Sequence, residues 1–590
     1  GKLVFTYPRP ICHHAASHHR DVGRRATNAN YTQPREKPCH LKQSPPRLWC
    51  IELRVRRHGR QCYENGISLM TFGAHSRFGM VASADGVATQ AGTHILALGG
   101  NAVDAALATN AAMAVVAPHL CGIGGDLFAL VHVNGEVHAL DAAGRAGSGV
   151  SAAQLRAEGY TEMPFHGDVR TVTVPGAVAG WMSLHERFGT LPLATILGPA
   201  VRLAEEGFPA SPLLVGSLAM IKPTFAPNFA ALSRQATTAG QLVQREGVGR
   251  TLRAIATGGQ AAFYQGEFGE GLFALGKGVY SRTDLETASA EWVTPLSLAV
   301  WGHQVWSIPA PSQGYLFLAA LGVVEQLDLP DDPLDPQWAH LLIEATTAVS
   351  HDRPNVLHDA ADLAALIPHL IARATEVDPS LASVRPMLAN DGDTTYLCTV
   401  DRNGMGVSLI NSNASGFGSL LVEPSTGINL HNRGLGFSVQ QGHPAEVAPG
   451  RKPPHTLCPA LITRADGSLL SVLGTMGGDA QPQIMLQIIT RLLRHGHSQP
   501  WQAVDAGRFA LRGPVTGFDT WTTSRPATVQ VEGHAPDDWT SGLADRGHAV
   551  EQRARLDSGF GHAHCIVLRD DGAMVGGADR RSIVGSCAGL

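Results

Sequence analysis

The chain has 590 residues, a net charge of −5, 44% hydrophobic and 16% charged residues. Domains usually run about 100–200 residues, so two or more layers or lobes with a large core are expected. The charge balance offers no basic face for nucleic acid, and 66 Gly and 36 Pro scattered without a repeat describe many tight loops around a mixed core.

Residues 1–69 differ in kind from the rest of the chain. They hold His13, His14, His18, His19, many Arg and four of the nine cysteines (Cys12, Cys39, Cys50 and Cys62), with no sustained helical or strand period. Those Cys spacings match no zinc pattern well, so the stretch reads as a disordered tail or as sequence upstream of a true start at Met70. The other five cysteines are widely spaced singles, the usage of a reduced core. The extreme N-terminus lacks the basic-then-apolar order of a secretion signal, which makes the cytoplasm the expected location, or the periplasm if another start carries such a signal.

Organised sequence begins at Gly79. Met80–Ser83 reads as a strand, Ala88–Leu98 as a helix stopped by Gly99-Gly100, and Ala102–Val116 as an Ala-rich helix suited to close packing. The apolar stretch Ile95–Val131 is broken by Asn101, Asp104, Asn110, Pro118 and the loop Gly122–Gly125, and so lacks the ~20 uninterrupted apolar residues of a membrane span. Leu127–Val133 and Val137–Leu140 flank Asn134-Gly135 as a hairpin. Helices come next, with an amphipathic stripe over Ala200–Glu206 and further segments at Leu341–Ser350 and Ala360–Ala374. After Ala389 strands take over. Hairpins are predicted at Thr395–Val400 with Met405–Asn411, at Leu461–Arg464 with Leu469–Leu473, and at Cys565–Leu568 with Met574–Gly576, and an apolar helix at Gln483–Leu493. Stacked antiparallel sheets with helices outside make an α+β fold, a four-layer α-β-β-α sandwich.

Several motifs fail on context. No phosphate loop and no H-E-x-x-H pair is present. Gly585-Ser586-Cys587-Ala588-Gly589 has the outline of a nucleophile elbow but no room for a following helix, and reads as a loop. Gly122–Gly125 follows a helix and is no dinucleotide fingerprint. No cofactor or metal is expected.

Asp393-Thr394-Thr395 opens a half-buried strand after the run Asn390–Asp393. Alone, a Thr pair there is an ordinary strand start. The order of other segments changes its meaning: Gly99-Gly100-Asn101-Ala102-Val103-Asp104, Gly122-Ile123-Gly124-Gly125-Asp126, Val174-Pro175-Gly176, Glu205-Glu206-Gly207-Phe208-Pro209, Gly416-Phe417-Gly418-Ser419, Gly477-Gly478 and Asp579-Arg580-Arg581-Ser582. In this order, over about residues 79–590, the chain resembles the γ-glutamyltransferase family of N-terminal nucleophile hydrolases.

The resemblance implies a precursor cut between Asp393 and Thr394. It would give a large part, 70–393, and a small part, 394–590, that stay together, with a dimer of that assembly as one expectation. Thr394 would be the nucleophile, with its freed α-amine as general base. Gly477 and Gly478 would form the oxyanion hole, and Ser412 would support the Thr394 hydroxyl. The glutamate-binding set departs from the family. Ala143 stands where an Arg grips the α-carboxylate, Gly436 where an Asp binds the α-amine, Arg433 at a Gln or Glu position, and His455-Thr456 in place of a serine pair. The loop Ser438–Lys452 is short for a substrate lid. The expected substrate is therefore a small acidic amide or acyl compound, held by Arg433 with Arg145 or His455 and with Thr456, Asn411 and Asn432 nearby. γ-Glutamyl transfer or glutathione hydrolysis is the alternative, and a catalytically silent binding relative a third reading.

Overall fold

The computed structural model describes residues 73–383, 394–496, 499–512 and 528–590, all within the unit Leu69–Leu590. The extension 1–69 and the residue Asp393 lie outside the described residues.

Two seven-stranded sheets form the centre. One runs in the order Gly73–Ser76, Met574–Ala578, Ala563–Leu568, Leu469–Thr475, Ala460–Arg464, His303–Ser307, Leu296–Val300. The other runs Ser586–Gly589, Gly79–Ser83, Thr395–Asp401, Gly406–Ser412, Asp126–Val133, Glu136–Ala142, Glu291–Val293. Every strand pair in both sheets is antiparallel. Period-two alternation divides the apolar side chains between separate cores. Leu127, Ala129, Val131, Leu397 and Leu409 face an outer helical layer. Phe128, Leu130, Tyr396, Cys398 and Ile410 turn the other way, onto Leu461, Val472 and Ile566 of the second sheet. The back of that sheet, with Ile462, Leu473 and Cys565, meets the helices Tyr315–Glu325, Pro336–Ser350 and Gln481–His495. Three apolar layers between four structural ones make the α-β-β-α sandwich that the sequence leads one to expect.

Helix Ala102–Val116 is buried along its whole length. Alanine at nearly half its positions lets it lie between the sheet and the helices Gly86–Ala97 and Leu193–Glu206. A Cβ on Gly92 would come 2.1 Å from Thr109 Oγ1, so that helix pair approaches as closely as glycine permits. Asn101 and Asp104 form a capping box that fixes where the buried helix begins.

Several boundaries depart from the sequence reading. The helix expected at Leu341–Ser350 begins at Pro336, where the Asp335 side chain caps it. The segment Ser586–Gly589, expected to be a loop, is an edge strand paired with Gly79–Ser83. Its Gly and Ser content hides a strand that exists only because an edge was available to it. The helix expected at Ala360–Ala374 spans Leu363–Ile371 and then tightens into a 3-10 turn, Ala372–Glu376; the Asp362 side chain accepts from Ala365 N and caps the later start. Cys121, Cys398, Cys458, Cys565 and Cys587 are free, the first four buried. Among the described residues no helix is long and apolar enough to cross a membrane.

Candidate active site

Thr394 stands directly before the strand Thr395–Asp401 and is fully buried. That strand lies between Gly79–Ser83 and Gly406–Ser412 in the middle of its sheet. Thr395 pairs with Asn411, and Ser412, the next residue along, places its Oγ 3.0 Å from Thr394 Oγ1. Ser412 Oγ also accepts from Ala414 N at 2.8 Å and from Arg433 Nη2 at 3.3 Å. The second arm of Arg433 donates to Thr456 Oγ1 at 2.9 Å. A hydroxyl pair and a guanidinium thus converge at one buried point. Arg433 is 2% exposed, its Nε has no partner among the described residues, and burial brings its pKa down to about 10.

Asp126 forms the floor beneath these groups. The glycine loop Gly122–Gly125 delivers it to the start of the strand Asp126–Val133. Its Oδ1 accepts from Gly144 N at 3.1 Å and Gly176 N at 3.2 Å. Its Oδ2 lies 3.3 Å from His455 Nε2 and 3.6 Å from His431 Nδ1. Burial alone would raise the Asp126 pKa, but the charges and hydrogen bonds of His431, His455 and Arg433 outweigh it and hold the carboxyl down to about 2. Burial, with Arg433 beside it, drops His455 to about 3, so its imidazole is neutral at pH 7. An ionised aspartate and one nearby guanidinium are therefore the fixed charges of this cluster.

The loop after the strand Leu469–Thr475 supplies the third part. Gly477 has φ 141° and Gly478 φ 55°, both in the left-handed range that glycine adopts freely. The loop feeds the turn Gly478–Ala480 and then the helix Gln481–His495, whose N-terminal end favours negative charge. Gly474 sits so close to the Tyr396 ring that a Cβ would come within 2.2 Å of it. This contact ties the strand leading to Gly477 to the strand that follows Thr394. Gln313 Nε2 donates to the carbonyls of both Gly478 and Thr456, each at 2.9 Å, and so clamps the glycine loop to the partner of Arg433. Behind the loop, Arg353 and Asp479 make a buried ion pair at 2.9 Å. A small cavity of about 20 Å³ lies there, its walls shared between polar Gln313, Ser350, Arg353 and Asp479 and apolar Leu316 and Val349.

The residues singled out from sequence fall into two groups. Thr394, Ser412, Arg433, Thr456 and His455 gather around the point just described. Asn411, Asn432 and Arg145 have other partners. Asn411 holds the glycine loop, accepting from Gly122 N at 3.2 Å and donating to the Asp126 carbonyl at 2.7 Å. Asn432 is engaged with Ser415 and the Phe165 carbonyl. Arg145 is half exposed and pairs with Glu291 at 2.5 Å and the Gly450 carbonyl at 2.9 Å. Its i+2 spacing from Ala143 carries it out of the buried cluster. Sequence reading passed over Asp126, His431, Gln313 and Arg353. Asp126 had a signal, a carboxylate directly after a glycine loop inside an apolar run, where an unpaired charge would be too costly to keep.

Gly436, at the place where the family resemblance implies an aspartate, cannot carry one in this backbone: a Cβ there would lie 2.2 Å from the Pro454 carbonyl oxygen. The short segment 438–452 is fastened down, Arg156 bonding Glu446 and the Val439 carbonyl, Arg451 bonding Asp359, and Lys452 bonding buried Asp141.

Known proteins share this architecture. A family model described as gamma-glutamyltranspeptidase matches residues 88–588. An oxamate amidohydrolase proenzyme of Klebsiella pneumoniae is 34% identical over 530 residues, covering 86% of this chain and 98% of that protein. A glutathione hydrolase-like proenzyme of Bacillus subtilis is 33% identical over 522 residues, covering 85% and 97%. Among solved structures, a cephalosporin acylase from Bacillus halodurans superposes with a TM-score of 0.80 at 32% identity, covering 90% of this chain and 99% of that one. The chain belongs to the gamma-glutamyltranspeptidase family and is a self-processing amidohydrolase with the N-terminal nucleophile hydrolase fold.

Proposed function

We propose that Thr394 is the nucleophile, released by a cut after Asp393, and that Arg433 binds the carboxylate of a small acidic amide. The observation that carries this reading is the chain from Thr394 Oγ1 through Ser412 Oγ to Arg433 Nη2, with links of 3.0 and 3.3 Å. Both ends bond one oxygen, so nucleophile and guanidinium cannot be farther apart than those two links laid end to end. An Arg–carboxylate bond is about 2.7–2.9 Å, and an attacking oxygen must come within about 3–3.5 Å of its carbonyl carbon. Together these distances favour a carboxylate one or two carbons from the scissile carbonyl. A γ-glutamyl group sets its α-carboxylate farther away and needs an anion for its ammonium, a place that Gly436 leaves closed. The Klebsiella relative is named for oxamate, an amide whose carbonyl is bonded directly to a carboxylate.

In this mechanism the Thr394 hydroxyl first attacks the carbonyl of Asp393. The C–N bond breaks in favour of an ester on Oγ1 and frees an α-amine of unperturbed pKa ~7.7–8.0; water then hydrolyses the ester, leaving Asp393 as a terminal carboxylate and restoring the Thr394 hydroxyl. That amine then takes the hydroxyl proton as the oxygen attacks the substrate carbonyl. The oxyanion meets the amides of Gly477 and Gly478 at a helix N-terminus, the ammonia or amine leaves with a proton, and water resolves the acyl-enzyme. Loss of one such donor typically lowers the rate about 10²–10³-fold. Arg433 orients the substrate by its carboxylate throughout.

Wild type and Thr394→Ala, compared by intact mass and N-terminal sequencing, test the nucleophile: two fragments are expected, the smaller beginning at Thr394, against one unbroken mutant chain. Processed enzyme is then assayed on oxamate and on γ-glutamyl-p-nitroanilide. Normal turnover of the second, with none of the first, would overturn the acidic-amide reading and return the protein to γ-glutamyl chemistry.

A further inference from the structure

Away from the Thr394 cluster, three metal-ligating side chains converge at the contact between the helix Pro336–Ser350 and the turn that follows the helix Asp537–Asp545. His340 and Glu344 lie one turn apart on the same face of the first helix, and His548 follows the second. One donor atom from each lies within 4.8 Å of the others. His340 Nδ1 is 2.8 Å from His548 Nε2, and a Glu344 carboxylate oxygen is 4.0 Å from that same nitrogen. His340 and Glu344 are buried and the His548 side chain is only 6% exposed.

The tautomer of His340 is fixed by its other nitrogen. Nε2 is 2.9 Å from the Asp378 carbonyl, which can only accept, so Nε2 carries the proton and Nδ1 turns its lone pair toward His548. A ligating histidine is ordinarily held in this way, one nitrogen donating to a carbonyl while the other binds the metal. Glu344 is held as well, its two oxygens accepting from Ser383 N at 3.1 and 3.2 Å. Zinc–nitrogen bonds of about 2.0–2.1 Å in a tetrahedron separate neighbouring donors by roughly 3.3 Å. The observed separations of 2.8 and 4.0 Å fall on either side of that value, so a bound ion would part the two rings slightly and draw the carboxylate inward.

We propose that His340, Glu344 and His548 form a binding site for a borderline-soft divalent cation of the Zn²⁺ class, with one position left for water. Two imidazoles and one carboxylate select such an ion over Mg²⁺ or Ca²⁺, which take oxygen shells. The ligands come from both sides of Thr394: His340 and Glu344 precede it and His548 follows. If the chain is cut before Thr394, as the proposed function has it, the ion cross-links the two fragments and anchors the segment Asp378–Ser383 through its bonds to His340 and Glu344. The sequence hides the site because 208 residues separate His340 from His548.

The test uses the full chain, stripped with chelator and reloaded with Zn²⁺, and reads bound zinc by mass spectrometry in wild type, His548→Ala and Glu344→Gln. Wild type should hold one equivalent more than either variant, since the His- and Cys-bearing residues 1–69 are common to all three. Chelation should lower the thermal midpoint of wild type by several degrees and leave His548→Ala unmoved. Cobalt in wild type should give the intense visible bands of a tetrahedral site. Equal zinc in all three proteins, or a wild type with neither the cobalt bands nor a chelation shift, would overturn the site. None of these readings requires catalytic activity, so a failed site and a failed nucleophile assignment are told apart.

Discussion

At the scale of single residues, Arg433 carries the most chemistry for its surroundings. It is buried, donates to Ser412 and Thr456, and balances the ionised Asp126 cluster. Truncating one partner of a buried charge pair costs about 2–5 kcal/mol in binding. Arg433→Ala should therefore lower kcat/KM on an acidic amide by roughly 10²–10³-fold, whereas a neutral amide should change little; equal losses on both would assign Arg433 to the fold instead of the substrate. Ser412→Ala removes the hydroxyl 3.0 Å from Thr394 Oγ1. It should slow both self-cleavage and turnover while leaving KM near its wild-type value, which a time course of fragment appearance and steady-state kinetics would reveal together. Sequence pointed to Thr394 through an ordered set of segments, and to Ser412 and Arg433 through the positions they hold in the family that those segments resemble. It misjudged Arg145, since nothing in a linear chain shows that Glu291 and Gly450 already hold that guanidinium.

At the scale of elements, the glycine loop at 477–478 is positioned from three sides: by Gln313 from the segment before Tyr315–Glu325, by the Arg353–Asp479 pair, and by the contact of Gly474 with Tyr396. Breaking a buried ion pair by removing one partner typically costs about 3–5 kcal/mol. Arg353→Met should lower stability in urea by that order and, with the loop it supports as the proposed oxyanion hole, reduce kcat more than it alters KM. Gly474→Ala is the complementary change: its Cβ would lie 2.2 Å from the Tyr396 ring, and overpacking of this kind costs about 1–3 kcal/mol. Hairpins such as Thr395–Asp401 with Gly406–Ser412 were legible from alternation and the Asn403-Gly404 turn. The strand Ser586–Gly589 was not, because a Gly-rich edge strand owes its form to the neighbour it pairs with.

For the whole molecule, interleaving decides how a cut chain behaves. In the sheet that holds Thr394, the strands Gly79–Ser83, Asp126–Val133, Glu136–Ala142 and Glu291–Val293 precede that residue in sequence, while Thr395–Asp401, Gly406–Ser412 and Ser586–Gly589 come after it. The second sheet mixes the two parts in the same way, so the fragments should elute together from gel filtration and separate only in denaturant. Acid should weaken the fold through its buried histidines. Burial holds His119, His455 and His564 at about 3, against ~6.5 in the unfolded chain. Between those values the unfolded state binds more protons, so stability falls as pH drops from about 6.5, by up to about 1.4 kcal/mol per pH unit for each group. Asp126, held down to about 2, adds stability above its unfolded pKa of ~3.9 that is lost on further acidification. Urea midpoints at pH 8, 6, 5 and 4 should fall steadily below pH 6.5, and a flat profile would contradict the buried neutral state of these rings.

The sequence by itself determined the layered α+β architecture, the position of most strands and helices, and the family, and it singled out Thr394 as the proposed nucleophile. Those properties rest on local signals: periodicity, turn residues and short ordered segments. Only the tertiary structure decided which side chains share a site. Asp126 meets His431 and His455 across more than 300 residues of chain, Gln313 clamps two carbonyls more than 140 residues away, and His340 finds His548. Such meetings are set by how sheets stack and where glycine lets backbones approach, and neither is written in the spacing of residues along the chain.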